Sequence, residues 1–450
     1  MIIREVTCPV CGCACDDIEV RVEGNRIIEV RNACTMGTKK FLSVNSENRL
    51  RVPFMRDGNE FIEVKWERAI KESAKILYES NYPLLYGWSE TSCEAIKVGV
   101  DIAELLGGFI DNQSSHCHSP TIIAEQRSGF PLCTLGMAIN YADFIIYWGS
   151  NPEESHPRHL SHFTAYTRGI YTEGGRRDRK IAVIDVRKTK TAKLANFFFQ
   201  IKPNSDIELI SALRVLLRGH ELNEKEIAGL KVSDIKKLLN LMKGCNYGIV
   251  FIGLGLVSSL GKVNNVEALF DLIKEINNYT RFSIIPMRGH YNVAGFTQVL
   301  TWRSGYPFAV DYSRGYPYYN PGETSVIDLL CRKEIDAMLC IAADPVSHFP
   351  RKAVERIAEI PLITIDITKT PTTYLSDIVI PGVICGIEST GTYYRMDNVP
   401  LTAKKIIDPP FKFVSSDEEI MQKIYYKIKR LMKDEGTERG TEGIEKITQT

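Results

Sequence analysis

The chain reads as an α/β protein, a small β-rich cap followed by two doubly wound parallel-sheet domains, and three observations predict this. Continuous apolar runs such as Phe144–Trp148 and Ala337–Ile341 are too short for helices and apolar at every position, as strands covered on both faces are. Helix-length amphipathic segments separate most of these runs, the alternation expected of parallel sheets. At 450 residues the chain is also long enough for two or three compact units.

The elements follow in order. Residues 1–55 hold strand-type stretches at 18–22 and 27–30 around a turn at 23–26, with few helix signals, and form the cap. Trp66, Ile70, Ala74 and Leu77 mark one face of a helix, and a buried strand at 83–86 ends at Gly87. A helix at 93–106 and strands at 144–148, 181–184, 249–252, 283–285, 337–341 and 362–365 continue the pattern. The expected division is a cap at 1–55, two interleaved α/β domains over 56–405 with one inserted at about 131–300, and a C-terminal helix and polar tail at 406–450. The tail is expected to fray past Lys433.

Composition narrows the function classes. Lys plus Arg number 56 and Asp plus Glu 55, so no global field draws the protein to nucleic acid or an anionic membrane. No apolar run approaches the ~18 residues that span a bilayer, and Met1 to Val6 lacks signal-peptide character. A cytoplasmic location is expected, where thiols stay reduced and the twelve cysteines need a purpose other than disulfides.

Five of them crowd the N-terminus. Cys8-x2-Cys11-x3-Cys15, with Cys34 eighteen intervening residues later, suits a cubane iron–sulfur cluster, which needs four soft ligands converging on one core. Zinc, which usually takes two separated Cys-x2-Cys pairs, and a metal-free thiol cluster are the less favoured readings. Cys13 is one thiol too many and is the candidate spare.

Two strand ends repeat: Gly149-Ser-Asn151-Pro152 with Ser155-His156-Pro157, and Ala342-Ala-Asp344-Pro345 with Ser347-His348. Ligands of open α/β sheets bind at the carboxyl ends of strands, so the pair marks either two related sites or two ordinary turns. Taken alone, Cys117 between His116 and His118 in the polar stretch 112–120 is a loop cysteine, and Arg288 is a strand-end arginine with a surface carboxylate partner. Gly253 and Gly255 follow a strand but lack the third glycine of a dinucleotide fingerprint, so a tight turn suffices. The tyrosines at 306, 312, 316, 318 and 319 read as a packed loop or subunit contact, and His156, His159 and His162 as loop and helix surface.

Taken together, the motifs carry more. The Cys8 to Cys34 pattern with Lys39 and Lys40 behind it, Trp148 to Pro157, Asp185-Val-Arg187-Lys-Thr189, Pro203 to Asp206, Asp377 to Pro381 and Glu388 to Thr392 with Asn398 run in the order of the molybdopterin-dependent oxidoreductases. The chain resembles that family over residues 5 to 405, and within it the B subunits of formylmethanofuran dehydrogenases.

The resemblance implies one 4Fe-4S cluster on Cys8, Cys11, Cys15 and Cys34, and molybdenum or tungsten bis(molybdopterin guanine dinucleotide) with Cys117 as the metal's protein ligand. It implies His118 as a proton donor or acceptor and Arg288 as the group that holds formate. Lys39 or Lys40, Gly149, Asn151, His156, Asp185, Arg187, Gly253, Gly255, Asp344 and Thr392 are the implied cofactor contacts. His116 has no counterpart and belongs at the surface or behind the ligands. The implied reaction is reversible reduction of CO2 to formate by a low-potential donor. Formylmethanofuran would then form on an amidohydrolase-like subunit, and a β-barrel subunit would complete the pterin pocket, because this chain ends soon after the Glu388 motif. A ferredoxin-like carrier would supply electrons. The alternatives are a formate dehydrogenase catalytic subunit, and a non-redox scaffold of a formyltransferase/hydrolase complex.

Overall fold

The computed structural model describes residues 1–447, with side chains as far as 434. The fraying expected past Lys433 falls largely outside the described side chains. Two parallel sheets organise the chain. One is five-stranded and wholly parallel, ordered Phe197–Gln200, Lys180–Asp185, Phe144–Trp148, Tyr247–Ile252 and Arg281–Pro286. The other is nine-stranded. Its parallel centre runs Phe109–Asn112, Pro83–Gly87, Ala337–Ile341, Leu362–Asp366, Ile378–Pro381. Antiparallel pairs flank it: Val310–Asp311 with Tyr318–Tyr319 on one edge, Phe54–Asp57 with Glu60–Glu63 on the other.

Period-two alternation explains why the central strands are apolar throughout. In the five-stranded sheet Phe144, Ile146 and Trp148 face a core built with the helices Asp206–Leu217, Val232–Lys243 and Val263–Ile276. Ile145 and Tyr147 face the opposite core, which they share with Val6, Ile18 and Val20 of the cap. The cap is an antiparallel sheet of Ile2–Val6, Ile18–Glu23 and Arg26–Arg31. The C-terminal helix Asp417–Ile447 buries Ile420, Met421, Ile424 and Ile428 in the core of the nine-stranded sheet.

The structure departs from the sequence reading in three places. The cap contains a helix, Thr35–Ser43, whose N-cap is Cys34: its sulfur accepts from the Gly37 amide at 3.4 Å. Cysteine is not among the usual capping residues, so the start signal was not visible. The stretch around Cys117 is not a loop but two short helical segments, Ser114–Cys117 and Ser119–Ser128, the second opened by Pro120 at its N-terminus. His156 and His159 are buried rather than at the surface, because the segment that carries them is folded under the cap.

Candidate active-site cleft

Each sheet has a topological switch point, where neighbouring parallel strands are wound in opposite directions. In the five-stranded sheet it lies between Phe144–Trp148 and Tyr247–Ile252; in the nine-stranded sheet, between Ala337–Ile341 and Pro83–Gly87. Loops leaving these strands splay apart and open a crevice. Both crevices contribute to one cleft of about 890 Å³.

The two halves are built alike. Asn151 has φ −126° and ψ 71°, and Asp344 has φ −122° and ψ 69°, each just before a proline-started helical turn. Asn151 Oδ1 accepts from the Thr191 amide (3.2 Å) and hydroxyl (2.8 Å); Asp344 Oδ1 accepts from the Thr372 amide (3.0 Å) and hydroxyl (2.6 Å). Those threonines end a shared pattern, Asp-x-x-Lys-Thr-x-Thr, at 185–191 and again at 366–372. The pair of similar loops is therefore a structural repeat, and its Asn and Asp side chains brace the loops. Gly149 (φ 56°) turns the chain so closely under the next loop that a Cβ on Gly253 would lie 2.3 Å from the Gly149 carbonyl oxygen. Gly253→Ala is therefore expected to destabilise the protein by about 1–3 kcal/mol, measured as a lower unfolding midpoint.

Cys117 and Arg288 arrive from corresponding places. Cys117 follows the strand Phe109–Asn112 beside Pro83–Gly87, and Arg288 follows Arg281–Pro286 beside Tyr247–Ile252. Cys117 and His118 line the cleft together with Met287 and Gly289. Arg288 is 5% exposed, and its Nη1 is buried without a hydrogen-bond partner. Burial pushes the Cys117 thiol up to about 11, against the nearby Arg288 charge. A soft metal would take such a sulfur as a thiolate outright.

Two buried histidines hold the Arg288 segment. His118 Nε2 donates to the Met287 carbonyl (3.2 Å), and His156 Nε2 donates to the Arg288 carbonyl (2.9 Å) while its Nδ1 accepts from Ser155 Oγ (2.8 Å). Burial lowers both, to about 3 and about 4, so the rings are neutral with Nε2 protonated.

Among the expected cofactor contacts, Lys40, Gly149, Asn151, His156, Arg187, Gly253 and Asp344 line the cleft; Lys39, Asp185, Gly255 and Thr392 do not. Lys39 is exposed. Asp185 accepts from the Arg187 amide at 3.3 Å. Gly255 donates its amide to Gly149 at 2.9 Å, and the Thr392 amide donates to Glu94 at 3.0 Å. His116 lines the cleft with its ring edge-on to Phe349 at 5.7 Å. Sequence reasoning missed Glu90 and the buried Asp366, both on the cleft wall. The second copy of the Asp-x-x-Lys-Thr-x-Thr pattern would have pointed to Asp366; nothing local marks Glu90.

At the cap, Cys8, Cys11, Cys13, Cys15 and Cys34 surround one small cavity, closed by Arg158, which Asp17 holds in two contacts of 2.6 and 2.7 Å. Among the described residues no three Cys, His, Asp or Glu side chains converge on a single-ion site. The donor set nevertheless fits a multinuclear cluster, which keeps its four thiolates apart by its own width. A Cβ on Gly37 would sit 3.2 Å from Cys8 Sγ and 3.9 Å from Cys34 Sγ, so the absence of a side chain leaves room beside two of the sulfurs. Burial and mutual repulsion push the Cys8 thiol up, and burial takes Cys15 to about 12; such thiols become anionic only beside a cationic core. Cys13 lines the same cavity, interacts with Cys11, and has its sulfur 3.7 Å from His159 Nδ1.

Two switch-point crevices sharing one cleft, with a thiol-lined cap beside it, define a molybdopterin-type oxidoreductase, and a family model, Molybdopterin oxidoreductase, matches residues 49–422. The B subunit of tungsten-containing formylmethanofuran dehydrogenase 2 from Methanocaldococcus jannaschii is 48% identical over 433 residues, 96% of this chain and 99% of that one. The chain belongs to the molybdopterin oxidoreductases and, within them, to the formylmethanofuran dehydrogenase B subunits. The alpha subunit of F420-dependent formate dehydrogenase of the same organism is 24% identical, over 91% of this chain and 68% of that one. In a solved formyltransferase/hydrolase complex from Methylorubrum extorquens, one chain superposes with a TM-score of 0.69 at 18% identity, covering 84% of this chain and 99% of that one, so the fold is shared. Among the described residues no helix is long and apolar enough to cross a membrane.

Proposed function

We propose that this chain is the catalytic subunit that interconverts CO2 and formate within a formylmethanofuran-forming complex. The observation that supports it best is the nearness of Cys117, on the cleft wall, to the buried Arg288, whose unpartnered Nη1 lies behind the cleft-lining Met287 and Gly289. When bound, a tungsten or molybdenum bis-pterin centre supplies the two-electron chemistry and a 4Fe-4S cluster supplies the electrons singly. Cys117 would hold the metal as a thiolate. The Arg288 guanidinium, buried and unpaired, would donate to the oxygens of formate or of the developing carboxylate, where its fixed fork needs no rearrangement. His118 keeps that arginine's segment in place, and a proton role for it requires its ring to release the Met287 carbonyl. Lys40, rather than Lys39, is the cation between cap and cleft.

The cluster ligands in this reading are Cys8, Cys11, Cys15 and Cys34. Cys13→Ser is expected to keep the iron content and the reduced-state EPR signal, whereas Cys15→Ser loses both. The reverse pattern would overturn the assignment. The division into a cap at 1–55, two α/β domains with one inserted at about 131–300 and a C-terminal segment accompanies this reading, as do a cytoplasmic location and three partners: an amidohydrolase-like subunit, a pocket-completing β-barrel subunit and a ferredoxin-like donor. The amide-forming step would lie on the partner, because the residues placed here serve one cluster and one pterin-bound metal.

Anaerobically purified complex should contain iron with tungsten or molybdenum, and should interconvert CO2 and formate with a viologen. Adding methanofuran should draw formate into formylmethanofuran only when the amidohydrolase-like subunit is present. A complex without tungsten, molybdenum or iron and without viologen-linked turnover would favour the scaffold reading, and turnover indifferent to methanofuran would favour a formate dehydrogenase.

A further inference from the structure

Three separate parts of the chain meet at one carboxylate. Glu90 lies in the turn that leaves Pro83–Gly87, at the switch point of the nine-stranded sheet. Its Oε2 accepts from Lys40 Nζ at 3.0 Å, and Lys40 belongs to the cap helix Thr35–Ser43. Its Oε1 lies 2.9 Å from His290 Nδ1, two residues beyond Arg288 on the loop that leaves the five-stranded sheet. All three side chains border the cleft.

The same junction joins the cap loop directly to the Arg288 loop. Cys11 and His290 pair as an isolated antiparallel bridge, and the Gly12 amide donates to the Gly289 carbonyl at 3.2 Å. A Cβ at Gly12 would lie 2.3 Å from the Arg288 carbonyl oxygen, so nothing larger than glycine lets the two backbones approach this closely. Backbone contact sets the spacing of the loops, but it leaves the Lys40 ammonium and the His290 ring free to turn toward water in the cleft. Glu90 is the group that restrains both. Although burial works against its charge, Lys40 and His290 hold its carboxyl down at about 2, so it stays anionic throughout the neutral range.

We propose that Glu90 is a positioning residue that pins Lys40 of the cap and His290 of the Arg288 loop into one ion-paired junction between the thiol-lined cap and the cleft. The inference rests on the proposed cluster in the cap and extends it. With Glu90 in place, the Lys40 charge is balanced and fixed beside the route from Cys8 and Cys11 to the cleft. Without it, the Lys40 ammonium loses the carboxylate it pairs with and the junction loses one negative charge, and net charge near an iron–sulfur cluster is one of the factors that set its potential.

The test uses the whole purified complex, with Glu90→Gln, Glu90→Asp and Lys40→Gln beside the wild type. Iron and tungsten or molybdenum content, the cluster midpoint potential by EPR-monitored titration, and kcat and KM for formate oxidation are measured in each. Glu90→Gln is expected to keep its metals, to shift the cluster midpoint positive, and to lose about tenfold in kcat with a smaller change in KM. Lys40→Gln should shift the midpoint the opposite way, because it removes a cation. Glu90→Asp should lie nearer the wild type. Opposite signs for the two neutralising substitutions separate a charge junction from a general loss of structure. Unchanged potential and kinetics in Glu90→Gln, in a complex whose wild type carries the cluster, would overturn the proposal. If Glu90→Gln loses its iron, Lys40→Gln decides: a negative shift supports the junction and an unchanged potential refutes it. A wild-type complex without iron would instead remove the cluster reading, and the junction with it.

Discussion

Replacing Cys117 with Ala is expected to abolish formate-linked viologen reduction, a loss of about 10³-fold or more, while the reduced iron–sulfur EPR signal stays at its wild-type intensity. The separation follows from geometry. Cys117 lies on the cleft wall at the end of a short helical segment of the nine-stranded sheet, whereas the five cap thiols enclose a different cavity. No residue is common to the two cavities. The thiol is not needed to build the fold, since the buried strand Phe109–Asn112 that precedes it carries the local packing. Ala at this position removes the sulfur and little else. Parallel assay of tungsten or molybdenum content shows whether the metal is lost or merely silent, and wild-type activity in the variant would end the ligand assignment.

Glu388→Ala is expected to cost about 3–5 kcal/mol of stability, the scale for breaking a buried ion pair by removing one partner. Arg49 and Glu388 have side chains 1% exposed and meet at 2.6 Å. Arg49 also donates to the Gly382 carbonyl at 2.6 Å and the Leu50 carbonyl at 3.0 Å, and Glu388 accepts from the Ile384 amide at 3.0 Å. The pair thus ties the chain leaving the cap to the segment that follows Ile378–Pro381. Truncating Glu388 leaves the buried guanidinium without the carboxylate that pairs with it directly. Chemical denaturation followed by far-UV circular dichroism should show the lower midpoint. A double replacement, Arg49→Met with Glu388→Leu, should recover much of the loss, because two apolar groups of similar volume need no charge compensation. A single variant as stable as the wild type would show that the Arg49 charge is satisfied by the carbonyls alone.

Much of the architecture is legible in the sequence. The strands at 83–87, 144–148, 337–341 and 362–366 follow from apolar runs bounded by glycine, proline or a charged residue, and the helices Trp66–Glu79 and Cys93–Leu106 from a 3.6-residue period. The helix Thr35–Ser43 was not legible, because its cap is a cysteine already accounted for as a ligand. Gly253 and Gly255 read as an incomplete nucleotide fingerprint; in the structure they fit under Gly149, a requirement for close backbone approach that involves two loops about a hundred residues apart in the chain.

What the sequence determined by itself was local: the identity and spacing of the cap thiols, the order of the loops, and the likeness of the Asn151 and Asp344 turns, which the structure made a repeat. Each depends on interactions within a turn or two of backbone, where period and residue type leave few alternatives. The tertiary structure decided which of two adjacent lysines turns inward, since successive helical residues point about 100° apart and only packing selects the buried face. It decided that His118 and His156 spend their Nε2 protons on consecutive carbonyls of the Arg288 segment. It also made Glu90 the meeting point of residues 40 and 290, a contact whose partners lie 50 and 200 positions away. No local pattern encodes such a contact, because its energy arises only after separate sheets have packed and excluded water from the charges between them.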